Sequence, residues 1–326
     1  MQKKLSVSKG DKQHNPILSF IYFIAVIVLV AEICNIITGF TYLELSNIKV
    51  IVTTSVYPTI IAWGLCFLFA AGYYDLSIGS VIVLGSFATC AFGNIYGYPG
   101  VILGGLIAGT LLIMINSVIF VYIKVPTWIA SLCLTLIYEA VAIFLRQYKP
   151  TLKYVDAELD KGLRMFGKIP VNLYLIAACF IIIYLLYNRT SIGLNIRAIG
   201  GSKEVSASLG VNTRKTLLLT GLICGIIIGI ASIVQESYNV RTPVMTSMTS
   251  LQMMFKPLAI ALLAQTLQNR INIIIAVPFC SVVIYGVFNL MTFFGAPSGT
   301  LQEVFLCVFI IAFGMIGQRG VKEVVK

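Results

Sequence analysis

Long, uninterrupted apolar runs constrain the fold of this 326-residue chain more than any other feature. A helix needs about 20 mainly apolar residues to cross a bilayer. About ten runs approach this length, so the sequence predicts an all-α, multi-pass membrane protein with about ten transmembrane helices. Composition agrees: 59% of the residues are hydrophobic and 11% are charged, whereas a soluble domain is about 45–50% apolar and about 25% charged. The runs cover approximately residues 17–37, 50–71, 76–94, 100–123, 126–145, 170–187, 215–235, 251–267, 271–292 and 300–317.

The distribution of basic residues predicts how these spans are oriented. A tail at 1–16 carries several lysines before the first run. That run exceeds the about 7–15 residues of a signal-peptide core and lacks an Ala-x-Ala site at its end, so we interpret it as the first span. Basic segments favour the cytoplasm, which predicts that the tail, the loop 188–214 and the C-terminal residues 318–326 are cytoplasmic. Residues 17–317 then form a single transmembrane domain.

One segment opposes this orientation. Ten spans place residues 146–169 outside, although the segment has six basic residues and three acidic ones. The charge rule is a bias over all loops, so we keep the orientation; the alternative is one missed span, which would invert everything downstream. Spans 2–5 and 7–10 run in opposite senses, which predicts an inverted structural repeat.

Metal, disulfide and nucleotide sites have no support in the sequence. The eight cysteines are scattered singly, without a CxxC pair, and His14 has no neighbouring ligand cluster. Residues 162–168 match GxxxxGK, but Ile169 stands where a phosphate-binding loop needs Ser or Thr, and no strand precedes it. We therefore predict that the chain binds no metal or cofactor and is not an enzyme.

The segment 71–80 joins two long apolar runs and contains Asp75 and Ser77 between glycines. Both residue types commonly begin helices, where a side-chain oxygen accepts a hydrogen bond from a free backbone N–H group. A second interpretation is that a broken helix places this carboxylate and hydroxyl beside a translocation path. The sequence favours capping slightly and leaves both interpretations open.

Two further segments are informative. Asn116 precedes a turn at Lys124–Pro126, which we interpret as a tight cytoplasmic connection. In the loop 188–214, Ser202 and Glu204 predict the start of a short helix and Gly210 its end. This helix could dock on a partner; the alternative is a solvated connector at the lipid surface.

Together, these three segments resemble the membrane subunits of bacterial ABC importers of the ribose/simple-sugar permease family. That family typically has G-G-I-D-L-S-x-G-S, then N-G followed by K-V-P-P-F-I-x-T-L-G, then G-x-x-x-x-A-I-G-G-N-x-x-A-A-x-x-x-G-I. The resemblance covers roughly residues 17–317, with the motifs in register. The matching segments are Gly72–Ser80, Asn116–Ser117 with Lys124–Leu132, and Gly193–Val211.

The resemblance implies a type II ABC importer-like permease fold in a bacterial inner membrane, with both termini cytoplasmic. It implies a second permease subunit, an extracytoplasmic solute-binding protein and cytoplasmic ATPase subunits that bind ATP and Mg²⁺. The solute would be a small polar compound such as a sugar. The coupling contacts to the ATPase would be Arg197, Gly200, Gly201, Ser202, Glu204, Val205, Ala207, Leu209 and Gly210. The translocation path would include Tyr73, Tyr74, Asp75, Ser77 and Asn116.

The chain also departs from the family pattern. A glycine-rich loop usually follows the eighth span, but residues 263–271 contain no glycine, and Tyr73-Tyr74 replace Gly-Ile. This divergence suggests one half of a heterodimer or an unusual solute. The rival interpretation is an ion- or proton-coupled secondary transporter, which usually concentrates acids and bases in its core. This chain offers only a few candidate core charges, which disfavours that interpretation: Glu32, Asp75, Glu139, Glu236, Lys256 and Glu303.

Overall fold

A computed structural model describes residues 25, 28, 31–33, 35–123, 125–148, 158–239, 242–268, 271–295 and 299–322. Over these ranges the chain is α-helical, without a β-strand. Short helical stretches at 31–33 and 35–37 precede the first helix with described ends. The helices are α1 (Leu45–Ala70), α2 (Ile78–Tyr96), α3 (Tyr98–Tyr122), α4 (Thr127–Tyr148), α5 (Val171–Arg189), α6 (Ser191–Gly201), α7 (Lys203–Ser208), α8 (Thr213–Tyr238), α9 (Gln252–Thr266), α10 (Ile273–Phe293) and α11 (Thr300–Lys322). Short 3₁₀ helices lie at Lys161–Gly167 and Thr249–Leu251.

The all-helical, multi-pass prediction is confirmed, and the number of spans is approximate. Among the described residues, seven helices are long and apolar enough to cross a membrane: α1, α2, α3, α4, α5, α8 and α10. The predicted span at 251–267 corresponds to α9, which has 15 residues and is about 22 Å long. The span at 300–317 corresponds to α11. The tail at 1–16 and most of the span at 17–37 lie outside the described residues.

Small residues allow α8 to pack closely at the centre of the bundle, against α1, α2 and α3. A Cβ added to Gly109 on α3 would lie 2.5 Å from the Cα of Gly229 on α8. The same addition at Gly225 would meet the Cα of Thr110 at 2.7 Å. Backbones can approach this closely only where side chains are absent, as is common between membrane helices. Substitution of these glycines would therefore separate the two helices.

The segments on either side of α5 lie at opposite ends of the bundle, because this 19-residue helix is about 28 Å long. The Lys161–Gly167 3₁₀ helix precedes α5, whereas α6 and α7 follow it.

One of the basic residues that oppose the predicted orientation, Arg164, is paired by neighbouring residues of its own segment. Arg164 is buried, donates from Nε to the carbonyl oxygen of Leu159 at 2.8 Å, and pairs with Glu158 at 3.5 Å.

This geometry permits a direct test of orientation. We expect single cysteines introduced into 188–214 to react only with reagents supplied from the cytoplasmic side. Cysteines at exposed positions in 158–169 should react from the outside. Labelling of intact cells with a membrane-impermeant maleimide measures both. Labelling of 158–169 only after the cytoplasmic side is exposed would show that the span count is wrong.

Candidate functional site

The Asp75 carboxylate is the centre of a buried hydrogen-bond network. Its Oδ1 accepts from the backbone N–H of Ser77 at 2.8 Å and from the Ser77 hydroxyl at 2.6 Å. Its Oδ2 accepts from Nδ2 of Asn116 at 2.9 Å. Asp75 is 1% exposed, and Ser77 and Asn116 are fully buried. Because an unpaired buried carboxylate is costly, this network determines whether the segment before α2 keeps its conformation.

The chain forms this site by interrupting the helix between α1 and α2. Gly72 adopts a φ of 75°, a left-handed conformation that side chains disfavour, so the helix ends just before it. Ser77 is the N-cap residue of α2, yet its side chain makes no capping bond. Asp75 instead accepts the Ser77 N–H group, so the predicted helix-start role belongs to Asp75. The hydrogen bond to Asn116 is additional to capping and joins this segment to α3.

A residue of α4 extends the network and is not evident from the sequence. The Tyr138 hydroxyl donates to Oδ1 of Asn116 at 2.6 Å. Tyr138 is 5% exposed and lies within an ordinary apolar run, where nothing distinguishes it from a core aromatic residue. The network therefore links α2, α3 and α4 through three successive side chains.

The two tyrosines predicted to face the path lie in different environments. Tyr73 is buried and packs edge-on against Phe120, with ring centroids 5.7 Å apart. Tyr74 is 57% exposed, and its backbone N–H donates to the Thr127 hydroxyl at 3.2 Å. The structure therefore brings Asp75, Ser77 and Asn116 together with Tyr73 nearby, and directs Tyr74 away. Their role in the path stays a prediction.

The predicted short helix in the loop 188–214 is present as α7. Its N-cap is Ser202, whose hydroxyl accepts from the Val205 N–H at 3.3 Å. The chain leaves the helix at Gly210, where φ is 86°. The side chains of Val205 and Leu209 are 58% and 77% exposed. Exposed apolar residues on a short helix at one end of the bundle form a surface that a partner can cover. The other exposed residues of the predicted coupling set are Arg197, Gly200, Gly201, Ser202, Glu204, Ala207 and Gly210.

Two glycines of this segment, Gly200 and Gly201, lie within a helix and not in a loop. Gly200 and Gly201 do not form a turn; they are the last residues of α6, a helix that the sequence interpretation treated as loop. Gly200 instead permits a close approach, since a Cβ added there would collide with the carbonyl oxygen of Ala70. Glycine at position 200 therefore allows the backbone of α6 to contact the end of α1.

Lys203, which lies between the predicted coupling residues Ser202 and Glu204, contacts the predicted path residue Tyr73. The Lys203 ammonium, at the start of α7, lies 4.9 Å from the centroid of the Tyr73 ring. A neutral phenol ring attracts a cation through its π face, and burial raises the pKa of the Tyr73 phenol further, to about 12. Tyr73 is two residues from Asp75. The start of α7 therefore contacts the chain segment that carries Asp75.

Two other buried carboxylates bind backbone or side-chain donors. Glu139 accepts from the N–H groups of Met248 and Ser250 at 2.8 and 3.0 Å, just before α9. Met248 has a φ of 64°, a strained conformation for a side-chain-bearing residue. Glu236 accepts from the Thr242 hydroxyl at 2.6 Å. Both carboxylates hold irregular segments in place.

Among the described residues, no group of three or more His, Cys, Asp or Glu side chains could hold a metal ion.

Comparison with known proteins gives matches to transport permeases. A family model described as branched-chain amino acid transport system / permease component matches residues 47–314. The L-arabinose transport system permease protein AraH of Escherichia coli (strain K12) is 27% identical over 188 residues, 57% of each chain. The galactofuranose transporter permease protein YtfT of the same organism is 28% identical over 182 residues, 54% of this chain and 52% of the relative. The ribose import permease protein RbsC of Haemophilus influenzae is 28% identical over 220 residues, 66% of this chain and 68% of the relative.

The extent of these matches is uneven. The family model covers most of the chain, whereas the chain spans only about half of the length of the arabinose and galactofuranose relatives. No solved structure is significantly similar to the chain.

Proposed function

The chain belongs to the family described as branched-chain amino acid transport system / permease component, and we propose that it is the membrane-spanning permease subunit of an ATP-driven importer. The observation that carries this proposal is the extent of the family match, which includes every helix of span length in the described part of the chain except the first two residues of α1. The predicted Asp75 and α7 segments both lie within it. Permeases are transport components, so ATP hydrolysis is assigned to a separate subunit.

A sugar or sugar-like compound is the proposed solute. The names of the relatives support this class, because they specify arabinose, galactofuranose and ribose. The family description instead names branched-chain amino acids. A transport assay should therefore include both classes of solute.

The proposed partners follow from this role. Two cytoplasmic ATPase subunits bind ATP and Mg²⁺, an extracytoplasmic binding protein delivers the solute, and a second permease completes the path. This assembly lies in a bacterial inner membrane with both termini cytoplasmic. The missing glycines at 263–271 suggest that the second permease is a different chain.

Coupling to the ATPase is assigned to α7 and its flanking residues. Exposed Val205 and Leu209 supply apolar contacts, while Ala207 allows close approach. Movement of this helix acts on Tyr73 through Lys203 and on the end of α1 through Gly200. The Asp75 network then transmits the movement to α2, α3 and α4.

Co-purification tests the proposed assembly. Affinity-tagged permease, expressed with the ABC ATPase encoded beside it, should retain the ATPase through detergent extraction and size-exclusion chromatography. Coexpression with an unrelated ABC ATPase is the matched control. Recovery of a permease that retains neither its neighbouring ATPase nor a second permease would contradict the proposal.

A further inference from the structure

A cavity of about 230 Å³ lies between α1, α9 and α11, separate from the Asp75 network. Its lining includes Tyr57 of α1, Gln252 and Lys256 of α9, and Gln302 and Glu303 of α11. Sites for drug-sized ligands usually measure about 300–1,000 Å³. This cavity therefore has the size for a small solute, and the five side chains just named can all form hydrogen bonds.

The two charged side chains are the most informative part of this lining. Glu303 is close enough to Lys256 to act on it electrostatically. Within the described part of the chain, neither side chain has an ion-pair or hydrogen-bond partner. The Lys256 ammonium is held instead over the Phe288 ring, 4.7 Å from its centroid. Ionisable groups in membrane domains face the bundle interior or water, since exposure to lipid is costly. The hydrogen-bonding capacity of both groups is thus available to a molecule in the cavity.

The position of the cavity places it on a route into the bundle. Tyr57 is twelve residues from the start of α1, which corresponds to about 18 Å along the helix. The opposite part of the lining includes Met245, before α9, and Gly299, before α11. Both connecting segments are extracytoplasmic in the predicted orientation. The cavity therefore extends from the side on which an importer receives its solute toward the middle of the membrane.

The charges also limit the ligand. Lys256 and Glu303 have opposite formal charges, so the formal charges of the lining sum to zero. Gln252 and Gln302 add amide groups that both donate and accept hydrogen bonds. A lining with many hydrogen-bond donors and acceptors but no net charge suits a ligand with hydroxyl groups, because each hydroxyl also donates and accepts. We propose that this cavity is an entry subsite for a neutral, polyhydroxylated solute, held between Lys256 and Glu303. This inference rests on the proposed import function.

Uptake by a reconstituted system tests the subsite. Vesicles are reconstituted with the wild-type permease, its neighbouring ATPase and the binding protein. Uptake is then measured for five solutes in turn: L-arabinose, D-ribose, D-fructose, D-galacturonate and L-leucine. We expect Lys256→Gln and Glu303→Gln each to reduce sugar uptake about tenfold or more, because each removes a charge-assisted hydrogen bond. Lys256→Arg, which keeps the charge, should retain most of the uptake.

Matched controls separate this effect from general damage. Lys168→Gln and Glu44→Gln change the same residue types at exposed positions outside the cavity and should leave uptake within about twofold. Thermal melting in detergent should show that all variants are folded.

The possible outcomes distinguish the subsite from the function. If both cavity variants take up solute as well as the wild type does, the subsite is overturned and the import function stands. Absence of any uptake by the wild-type system overturns the function and the subsite with it. Uptake of galacturonate alone, lost in Lys256→Gln but not in Glu303→Gln, overturns the neutral class.

Discussion

Exchanging the Asp75 carboxylate and the Asn116 amide in one double variant should restore the thermal stability and the uptake that either single substitution reduces. We expect Asp75→Asn to lower the thermal midpoint in detergent and to reduce uptake. Asn116→Asp should be worse, because it places a second carboxylate 2.9 Å from the first. The double variant Asp75→Asn/Asn116→Asp should recover most of both losses.

The directions of the hydrogen bonds explain why each single substitution should be damaging and why the double variant should recover. In Asp75→Asn, a new NH₂ group faces Nδ2 of Asn116, so two donors oppose each other. A flip of the Asn116 amide would repair this pair, but the Tyr138 hydroxyl would then accept from Nδ2 and its proton would keep only the longer bond to the carbonyl oxygen of Leu112, at 3.3 Å. Each buried group left unpaired costs about 1–3 kcal/mol. In the double variant, the carboxylate at position 116 accepts from both neighbours, and the amide oxygen at position 75 still accepts from the Ser77 N–H group.

This comparison also separates the two roles proposed for Asp75. Asparagine caps helices about as well as aspartate, so a purely capping role predicts that Asp75→Asn is almost silent. Thermal melting and uptake of the two single variants and the double variant form a complete double-mutant cycle. Additive effects in the cycle would refute the network as described, and full uptake by Asp75→Asn would show that the carboxylate acts only as a cap.

The second large effect is expected at α7. Ala207→Arg places a long charged side chain on the exposed helix that we assign to the ATPase contact. It should abolish solute-stimulated ATP hydrolysis, a loss of about tenfold or more, because a buried contact cannot accommodate an unpaired charge without large cost. Membrane insertion and thermal melting of the isolated permease should not change, since Ala207 is exposed in the subunit.

Gly162→Arg is a matched control at the opposite end of the bundle. Gly162 is exposed, and an added Cβ there would meet no atom within 4 Å. Solute-stimulated hydrolysis should remain normal in this variant. Normal coupling in Ala207→Arg, or equal loss in both variants, would count against the assignment of α7.

Much of the fold is predictable from the sequence because a span of apolar residues has few alternatives in a bilayer. The limits of α7 were also predictable, since Ser202 and Gly210 are typical residues for a helix start and stop. In contrast, the sequence does not predict α6, because Gly193, Gly200 and Gly201 locally favour a loop. Only the approach of the Ala70 carbonyl group explains the glycine at position 200, next to the end of this helix.

The candidate sites were predictable only in part. Asp75 and Asn116 could be selected from their motifs, but their direct hydrogen bond depends on the packing of α3 against α2, which no local pattern encodes. Tyr138 and Tyr57 lie in apolar runs where tyrosine is unremarkable. Lys256 and Glu303 were evident as charges within spans, whereas the cavity that joins them is a consequence of how α9 and α11 pack.

Import of a solute at the expense of ATP hydrolysed by a partner is the role that we propose for this chain. The direct measurement is solute uptake by vesicles that contain the permease, the neighbouring ATPase and the binding protein, with and without enclosed ATP and Mg²⁺. We predict uptake of a panel sugar that requires ATP and is abolished by a hydrolysis-deficient ATPase, while collapse of ion gradients has no effect. Uptake that proceeds without ATP and stops when a proton or sodium gradient is removed would contradict this account and identify a secondary transporter.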